Sequence, residues 1–272
     1  MTTYFTALDT APGVNPLNAN PCKLLDFQLL ELSDGQTHRA NSGDREVLAV
    51  LFGGKATIEA GGVRFENIGG RANVFAGKPH SVYIPANTDF TLTGVGTVEI
   101  GLCSAPSDLV TEPYLIEPND VLSGKWGAAN YSRNFHQILV ESVQPQFPAK
   151  RLIVGETYTP SGNWSTYPPH KHEVDDLPRE AFHEEMYFFK VDPPDGFGIA
   201  RFYNSETDTN YTVHNNTILM VPNGYHTVAS APGYTTYYLW FLAGNHRTQA
   251  VMNDPVTGWV GDLVPTLRKV GL

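Results

Sequence analysis

Short segments in which apolar and polar residues alternate, or in which β-branched and aromatic residues run together, recur along the whole chain. Glycine, proline, asparagine or aspartate interrupts nearly every interval between them, as at the turns of a β protein. No segment shows the 3.6-residue periodicity of a long amphipathic helix. The pattern predicts an all-β fold, with strands over EVLAVLFGG, KATIEA, HSVYIPAN, FTLTGVG, TVEIGLC, RLIVGETY, EMYFFKV, GIARFYN, TILMVPNG and TTYYLWFLAG.

The two halves of the chain carry a similar pattern. Glu46 opens a strand that is followed by IPAN, and Glu185 opens a strand that is followed by VPNG at nearly the same separation. Between the halves, residues 104–130 are rich in Pro, Ser, Asp and Asn, which is typical of a connector. The repeat predicts one small β-barrel used twice, with domains at residues 1–125 and 126–272.

Composition and charge argue against a nucleic acid or a membrane as a partner. The chain has 272 residues, a formal net charge of -10 and no run of Lys or Arg, so neither a nucleic acid nor an anionic membrane would meet a positive patch. No apolar stretch approaches the roughly 20 residues that cross a bilayer. Two cysteines, and a first segment with neither a basic nor an apolar region, predict a reducing, cytoplasmic location.

A cluster of histidines and carboxylates lies in TYPPHKHEVDDLPREAFHEEMYFFKV, residues 166–191. Alternate residues of a strand share a face, so His170 and His172 point the same way. Glu185 opens the next strand, and His226 follows the Pro/Gly turn of PNGYH, where a neighbouring strand begins. Three imidazoles and one carboxylate would form a divalent-metal site with room for water or a substrate.

Each part of this pattern also has a plainer interpretation. A His-x-His pair in a loop is more often surface decoration than a pair of ligands, and a double glutamate before a strand is usually a solvated edge. Taken in order, however, HxH, a glutamate that leads an aromatic strand, and PxGxH resemble the two motifs of the cupin superfamily. This resemblance implies an all-β fold of two cupin barrels in tandem, each a double-stranded β-helix or jelly roll, with the metal inside.

The first barrel departs from this pattern at its histidines. His38 is followed at the second position by Ala40, and Phe90 stands where the histidine after the turn would be expected. The first barrel is therefore predicted to hold no metal, whereas the second barrel carries the site.

Longer motifs resemble one family within the superfamily. They are SGNWSTYPPHKHE, LPREAFHEEMYFF, VPNGYHTV, APGYTTYYLWFLAG, FENIGGRANVFAGKPHSVYIP and CSAPS, and together they cover almost the whole chain. The chain resembles the 5-deoxy-glucuronate isomerases of myo-inositol catabolism, which are bicupins similar to the uronate ketol-isomerases. The resemblance implies an intramolecular oxidoreductase that converts 5-deoxy-D-glucuronate to 2-deoxy-5-keto-D-gluconate, an aldose to ketose isomerisation. It also implies a small anionic sugar acid as substrate, a homo-oligomer and the four metal ligands named above.

One divalent metal ion is the expected cofactor, with zinc as the first choice and manganese, iron or nickel also compatible with the donor set. Where the family often has Arg-Gly, this chain has Trp126-Gly127, so an isomerase for a different uronate stays open. A metal-dependent cupin dioxygenase and a non-catalytic sugar-binding cupin stay open as well.

Isomerisation by proton transfer needs an acid or base on the cavity face of the barrel. Tyr187 shares the parity of Glu185, and Glu184 is the alternative if the strand begins with a bulge. The plainer role for Tyr187 is that of an aromatic core residue, and Glu184 faces outward by parity.

The substrate carboxylate needs a cation, and a guanidinium suits it because it can donate two parallel hydrogen bonds. Arg201, in the strand directly after the motif strand, is the first choice, with Arg179 and Arg247 behind it. A surface salt bridge is the alternative role for each of these arginines.

Overall fold

The computed structural model describes residues 2–272, which form β-strands with little helix. The first nine strands are β1 (Phe5–Ala7), β2 (Gly13–Pro16), β3 (Asp26–Leu32), β4 (Thr37–Asn41), β5 (Arg45–Ala60), β6 (Val63–Gly69), β7 (Ser81–Ile84), β8 (Asp89–Pro106) and β9 (Tyr114–Ile116). The others are β10 (Leu122–Trp126), β11 (Arg133–Leu139), β12 (Ile153–Thr159), β13 (Trp164–Lys171), β14 (His183–Asp192), β15 (Gly198–Tyr203), β16 (Asp208–Val213), β17 (Thr217–Val221), β18 (Tyr225–Ser230), β19 (Thr235–Gly244) and β20 (Met252–Asn253). A 3-10 turn at Ala129–Tyr131 and two short helices, α1 (Trp259–Asp262) and α2 (Val264–Lys269), complete the set.

The strands form two barrels in tandem, and the predicted all-β fold is confirmed. The first barrel is an eight-stranded sheet in the order β2-β3-β8-β5-β7-β9, with β4 added on β8 and β6 on β5. The second combines a seven-stranded sheet, β1-β17-β14-β19-β12-β11-β10, with a five-stranded sheet, β16-β15-β18-β13-β20. Within residues 2–272, no helix is long and apolar enough to cross a membrane.

The strands do not divide between the barrels at residue 125. β1, at the start of the chain, pairs with β17 and so belongs to the second barrel. β10 spans residues 122–126 and pairs with β11, so the boundary expected between residues 125 and 126 falls inside a strand of the second barrel. Because the connector is rich in turn-forming residues, its composition conceals both β9 and β10.

Three apolar clusters fill the molecule, one inside each barrel and one between them. Strand β14 contributes to two of these clusters. Tyr187 and Phe189 face the inside of the second barrel, whereas Met186 and Phe188 face the first barrel. The rings of Phe188 and Phe52 stack with their centroids 5.1 Å apart. The two barrels therefore share a continuous apolar interface.

A buried carboxylate on each barrel binds backbone N–H groups of the other barrel. Glu46 accepts hydrogen bonds from the three consecutive N–H groups of residues 150–152, at 2.7 to 2.8 Å, and from the hydroxyl of Tyr83 at 2.7 Å. Glu184 accepts hydrogen bonds from the N–H groups of residues 23–25, at 2.6 to 3.2 Å. In both contacts, a carboxylate of one barrel accepts hydrogen bonds from three consecutive N–H groups of the other barrel.

Strand register makes Glu46 equivalent to Glu184. Glu46 lies opposite Ala105 on β8, and Glu184 lies opposite Ala243 on β19. The correspondence of Glu46 with Glu185 expected from the sequence is therefore wrong by one residue. In a strand, a shift of one residue exchanges the two faces, so Glu46 faces the interface and not the interior of its barrel.

A buried ion pair also joins the barrels. Arg71 donates to both carboxylate oxygens of Glu156, from Nη2 at 2.7 Å and from Nη1 at 3.2 Å. The hydroxyl of Tyr237 and Nδ1 of His136 lie 2.9 and 3.0 Å from the same carboxylate. Burial alone would raise the pKa of Glu156, but the charge of Arg71 and the hydrogen bonds outweigh it and lower that pKa to about 2.

Glu184→Gln should destabilise the protein without changing how much metal it can bind. The amide places an NH2 group against a backbone N–H group, so we expect the free energy of unfolding to fall by about 2–3 kcal/mol. Urea denaturation and metal analysis measure the two effects. Glu112→Gln, on the exposed connector, is the matched control and should change neither. Loss of metal at unchanged stability would place Glu184 in the cavity and contradict this assignment.

Ionisation of Glu156 should make the free energy of unfolding depend on pH. Its folded pKa of about 2 lies below its ordinary value of 4.5, so the stability it contributes is present above pH 4.5 and is lost as the pH falls through about 2. Glu156→Gln leaves Arg71 without its counter-charge, which should cost about 3–5 kcal/mol at neutral pH. Thermal unfolding followed from neutral to acidic pH should show a shallower pH dependence for the variant. Parallel profiles for the two proteins would rule out this linkage.

Candidate metal centre

Four side chains converge inside the second barrel. His170 lies on β13 and His172 directly after it, Glu185 lies on β14, and His226 lies on β18. One ligand atom of each lies within 4.8 Å of those of the others. Nε2 of His172 is 2.9 Å from Oε2 of Glu185, and Nε2 of His226 is 3.0 Å from the same oxygen. The structure thus brings together the four residues that strand parity selects from the sequence.

Strand pairing and one carbonyl group fix these side chains. His170 lies directly opposite His226, and their ring centroids are 4.8 Å apart. β14 pairs with β19 without a shift of register, which keeps Glu185 on the inner face. Nδ1 of His172 lies 2.6 Å from the carbonyl oxygen of His183. A partner at Nδ1 orients an imidazole so that Nε2 is presented to an ion, and here Nε2 faces Glu185.

The donor set fits a divalent ion. His226 is fully buried, and neither of its ring nitrogens has a hydrogen-bond partner anywhere in residues 2–272. Although Oε2 of Glu185 is close to Nε2, the two groups are not aligned for a hydrogen bond. A buried polar atom without a partner carries a free-energy cost, and an ion among the four side chains would remove it. Zinc, manganese, iron and nickel all accept such ligands.

Electrostatics keep His170 and Glu185 in the forms that bind metals. Burial, followed by the imidazoles of His226 and His172, lowers the pKa of His170, so its ring is neutral and keeps a lone pair. Burial would lower the pKa of His172, but its hydrogen bond to Glu185 and the charge of that carboxylate outweigh burial and raise it. Burial would raise the pKa of Glu185, but the contacts with His172 and His226 outweigh it and hold that pKa below its usual range. The carboxylate is therefore ionised.

The corresponding positions of the first barrel offer no ligand atoms. By strand register, the residues that correspond to His170, Glu185 and His226 are Ala40, Val47 and Phe90. The sequence pattern aligns Ala40 with His172, but strand register makes Ala40 the equivalent of His170. Val47 and Phe90 lie in the apolar cluster of that barrel.

Three of the four side chains, His170, His172 and Glu185, line a cavity of about 470 Å³, within the range of small-molecule sites, and His226 is buried behind them. Five aromatic residues line it, namely Trp126, Tyr167, Tyr187, Tyr238 and Trp240. The segment after β19 adds the amides of Gln249 and Asn253. Asn253 lies opposite His170, because β20 pairs with β13.

Tyr187 lies in the cavity wall beside the cluster. Its ring centroid is 5.3 Å from that of His226 and 4.6 Å from that of Tyr238. Burial, followed by the charge of Glu185, raises its pKa well above the ordinary value, so the hydroxyl stays protonated at neutral pH. Its position is that of a hydrogen-bond donor or an acid, and not of a base.

Thr166 lines the cavity, although no pattern in the sequence predicts it. It adopts a φ of 50°, which is unusual for a β-branched residue, and such strained residues gather at functional sites. Its Oγ1 is buried and has no hydrogen-bond partner within the described chain. Nothing in the local sequence marks this conformation.

Glu184 does not face the cavity. The bulge that would turn it inward is missing, because the register of β14 on β19 is continuous from its first residue. Its carboxylate instead lies at the interface with the first barrel and binds the N–H groups of residues 23–25. The prediction of Glu184 as an alternative acid or base is therefore wrong.

The three arginines predicted to bind a carboxylate also lie outside the cavity. Arg201 is 41% exposed and pairs with Asp208 at 2.7 Å, because its strand turns Ala200 and Phe202 inward. Arg179 is 70% exposed in its loop and pairs with a neighbouring aspartate.

Arg247 is buried elsewhere. Its Nε donates to the carbonyl oxygen of Leu152, beside the interface between the barrels. Arg133, and none of these three arginines, lines the cavity beside the four-residue cluster. The alternation of RNFHQIL, which forms β11, is the signal that could have identified its strand.

The chain matches the KduI/IolB family over residues 10–260. It is 42% identical over 237 residues to the 5-deoxy-glucuronate isomerase of Geobacillus kaustophilus (strain HTA426). The aligned residues cover 86% of this chain and 84% of that protein. It is 39% identical over 239 residues to the 5-deoxy-glucuronate isomerase of Bacillus subtilis (strain 168), with 87% of each chain covered.

Solved structures show the same architecture. An IolB-like protein from Salmonella typhimurium LT2 superposes with a TM-score of 0.88 at 29% identity, over 95% of this chain and 99% of that one. Oxalate decarboxylase from Bacillus subtilis superposes with a TM-score of 0.64 at 10% identity, over 100% of this chain and 83% of that one. The second likeness concerns the fold alone and identifies the barrels as a pair of cupin barrels. With the family match across most of its length and relatives at about 40% identity, this chain belongs to the KduI/IolB family.

Proposed function

We propose that this protein is a metal-dependent isomerase that converts 5-deoxy-D-glucuronate to 2-deoxy-5-keto-D-gluconate in myo-inositol catabolism. The observation that carries the proposal is the convergence of three imidazoles and one carboxylate beside a cavity of about 470 Å³. The names of relatives at 39 to 42% identity support the choice of substrate. Zinc is the proposed ion.

The reaction moves a hydrogen from the hydroxyl-bearing carbon to the adjacent aldehyde carbon, while negative charge develops on oxygen. A divalent ion at this site would polarise the carbonyl and hydroxyl oxygens and stabilise that charge. His170, His172, Glu185 and His226 are the residues that would hold it. Their rigid placement on paired strands fixes the reacting end of the sugar in the cavity.

Tyr187 and Thr166 are the proposed contacts to the sugar oxygens. Tyr187 keeps its proton and lies beside His226, so its Oη can donate to an oxygen on which charge develops. Thr166 lines the same cavity with a hydroxyl that has no partner in residues 2–272. A substrate hydroxyl would satisfy it, because an unpaired buried hydroxyl is unfavourable.

Conversion of 5-deoxy-D-glucuronate, followed by proton NMR in deuterated water, tests the activity. We expect the keto acid to form with the purified protein, to stop forming after chelation and to form again after zinc is restored. Deuterium in the product would indicate proton exchange with solvent through an enediol. A protein that contains its metal and forms no keto acid would refute the proposed reaction.

His170→Ala tests the ligand assignment. We expect loss of most bound metal and a fall in turnover of more than about 100-fold, since ligand losses exceed the 10–100-fold effects of residues that only support ligands. The two barrels should stay folded, because apolar clusters stabilise them. His38→Ala, in the first barrel, is the matched control and should keep both metal and turnover. If His170→Ala unfolds the protein outright, the ion is structural and the catalytic role fails.

A further inference from the structure

The metal cavity contains one guanidinium, that of Arg133. No other Lys or Arg side chain of the described chain lines this cavity. The side chain of Arg133 forms no hydrogen bond or ion pair with residues 2–272, and its guanidinium lies against an aromatic ring. By comparison, the buried guanidinium of Arg71 is paired with Glu156. Arg133 therefore retains its donors for a group that enters the cavity.

A hairpin holds Arg133 in position. Arg133, at the start of β11, lies opposite Trp126 at the end of β10. Its Cζ is 5.6 Å from the centroid of the Trp126 ring, which itself stacks on Phe135 at 3.9 Å. An indole face attracts a guanidinium and restricts its orientation.

Gly127 leaves space beside this side chain. It has a φ of +74°, and a Cβ at this position would lie 2.9 Å from Nη1 of Arg133 and 2.1 Å from the carbonyl oxygen of Tyr131. A larger residue would therefore displace the guanidinium as well as strain the turn.

The charge of Arg133 acts on the same space as the proposed metal ligands. It contributes, after burial and the neighbouring imidazoles, to the lowered pKa of His170. Burial also lowers the pKa of Arg133 itself, yet arginine stays charged because its ordinary pKa is above 12. A partly buried guanidinium that has no ion-pair partner in residues 2–272 favours an anionic ligand.

Resting on the proposed isomerase function, we infer that Arg133 binds the substrate carboxylate while the reacting carbons lie at the four-residue cluster. The two ends of a six-carbon uronic acid differ in the chemistry they need, and the cavity offers one group for each. Two N–H donors of a guanidinium match the two oxygens of a carboxylate. Arg133 is thus a specificity-determining residue that selects sugar acids over neutral sugars.

The test compares variants of Arg133 on two compounds that differ in the charge of the carboxyl group. Zinc-loaded wild type, Arg133→Gln and Arg133→Lys are assayed with 5-deoxy-D-glucuronate and with its uncharged methyl ester. For Arg133→Gln we expect kcat/KM for the acid to fall about 10–100-fold, mainly through KM, because hydrogen bonds between charged groups are lost. Activity on the ester should change little, so the preference for the acid disappears. Arg133→Lys should show an intermediate loss, since it keeps the charge without the paired donors.

Arg201→Gln is the matched control, because this exposed arginine lies outside the metal cavity. It should leave the preference for the acid unchanged, and all variants should bind zinc as the wild type does. Equal losses with acid and ester, or no loss with either, would overturn the role of Arg133.

Failure of the isomerase proposal is distinguishable from failure of this inference. If the wild type converts neither compound, the proposed reaction is refuted, and calorimetric titration of the same proteins with the same two compounds decides the role of Arg133. Weaker binding of the acid alone to Arg133→Gln supports it. An acid affinity equal to that of the wild type overturns it.

Discussion

Strand β14 is buried on both of its faces, and the interface and the candidate metal centre both depend on its register. Glu185 and Tyr187 face the cavity of the second barrel, while Glu184 and Phe188 face the first barrel. Because side chains alternate along a strand, a slip of one residue would move the carboxylate of the site into the interface. Continuous pairing with β19 on one side and β17 on the other prevents such a slip.

The two barrels share an architecture but differ in what fills their interiors. Glu46 and Glu184 occupy equivalent positions and bind the backbone of the opposite barrel, so the interface is nearly symmetric. The cavities are not symmetric, because apolar side chains such as Val47 and Phe90 fill the first barrel. The first barrel therefore supports the second through a shared apolar core, and the second is able to keep polar groups inside.

Those polar groups are costly to bury. His226 and Thr166 have buried polar atoms without partners in the described residues, and Arg133 has a charge without a counter-ion there. Burying such groups is unfavourable unless a ligand satisfies them. The aromatic contact between the barrels, which includes the stacked rings of Phe52 and Phe188, supplies stability that does not depend on the site.

The sequence by itself determined the strands, the repeat and the four clustered side chains. Strand type follows from local alternation, and the parity that aligns His170 with His172 and turns Glu185 inward is local as well. Only the tertiary structure decided which cation reaches the cavity and where Glu184 binds, since both depend on pairing between distant segments. The RNFHQIL strand carries Arg133 to the cavity by pairing with β12, and backbone groups some 160 residues away bind Glu184. Alternation specifies which residues share a face, but it does not specify which strands will lie beside one another.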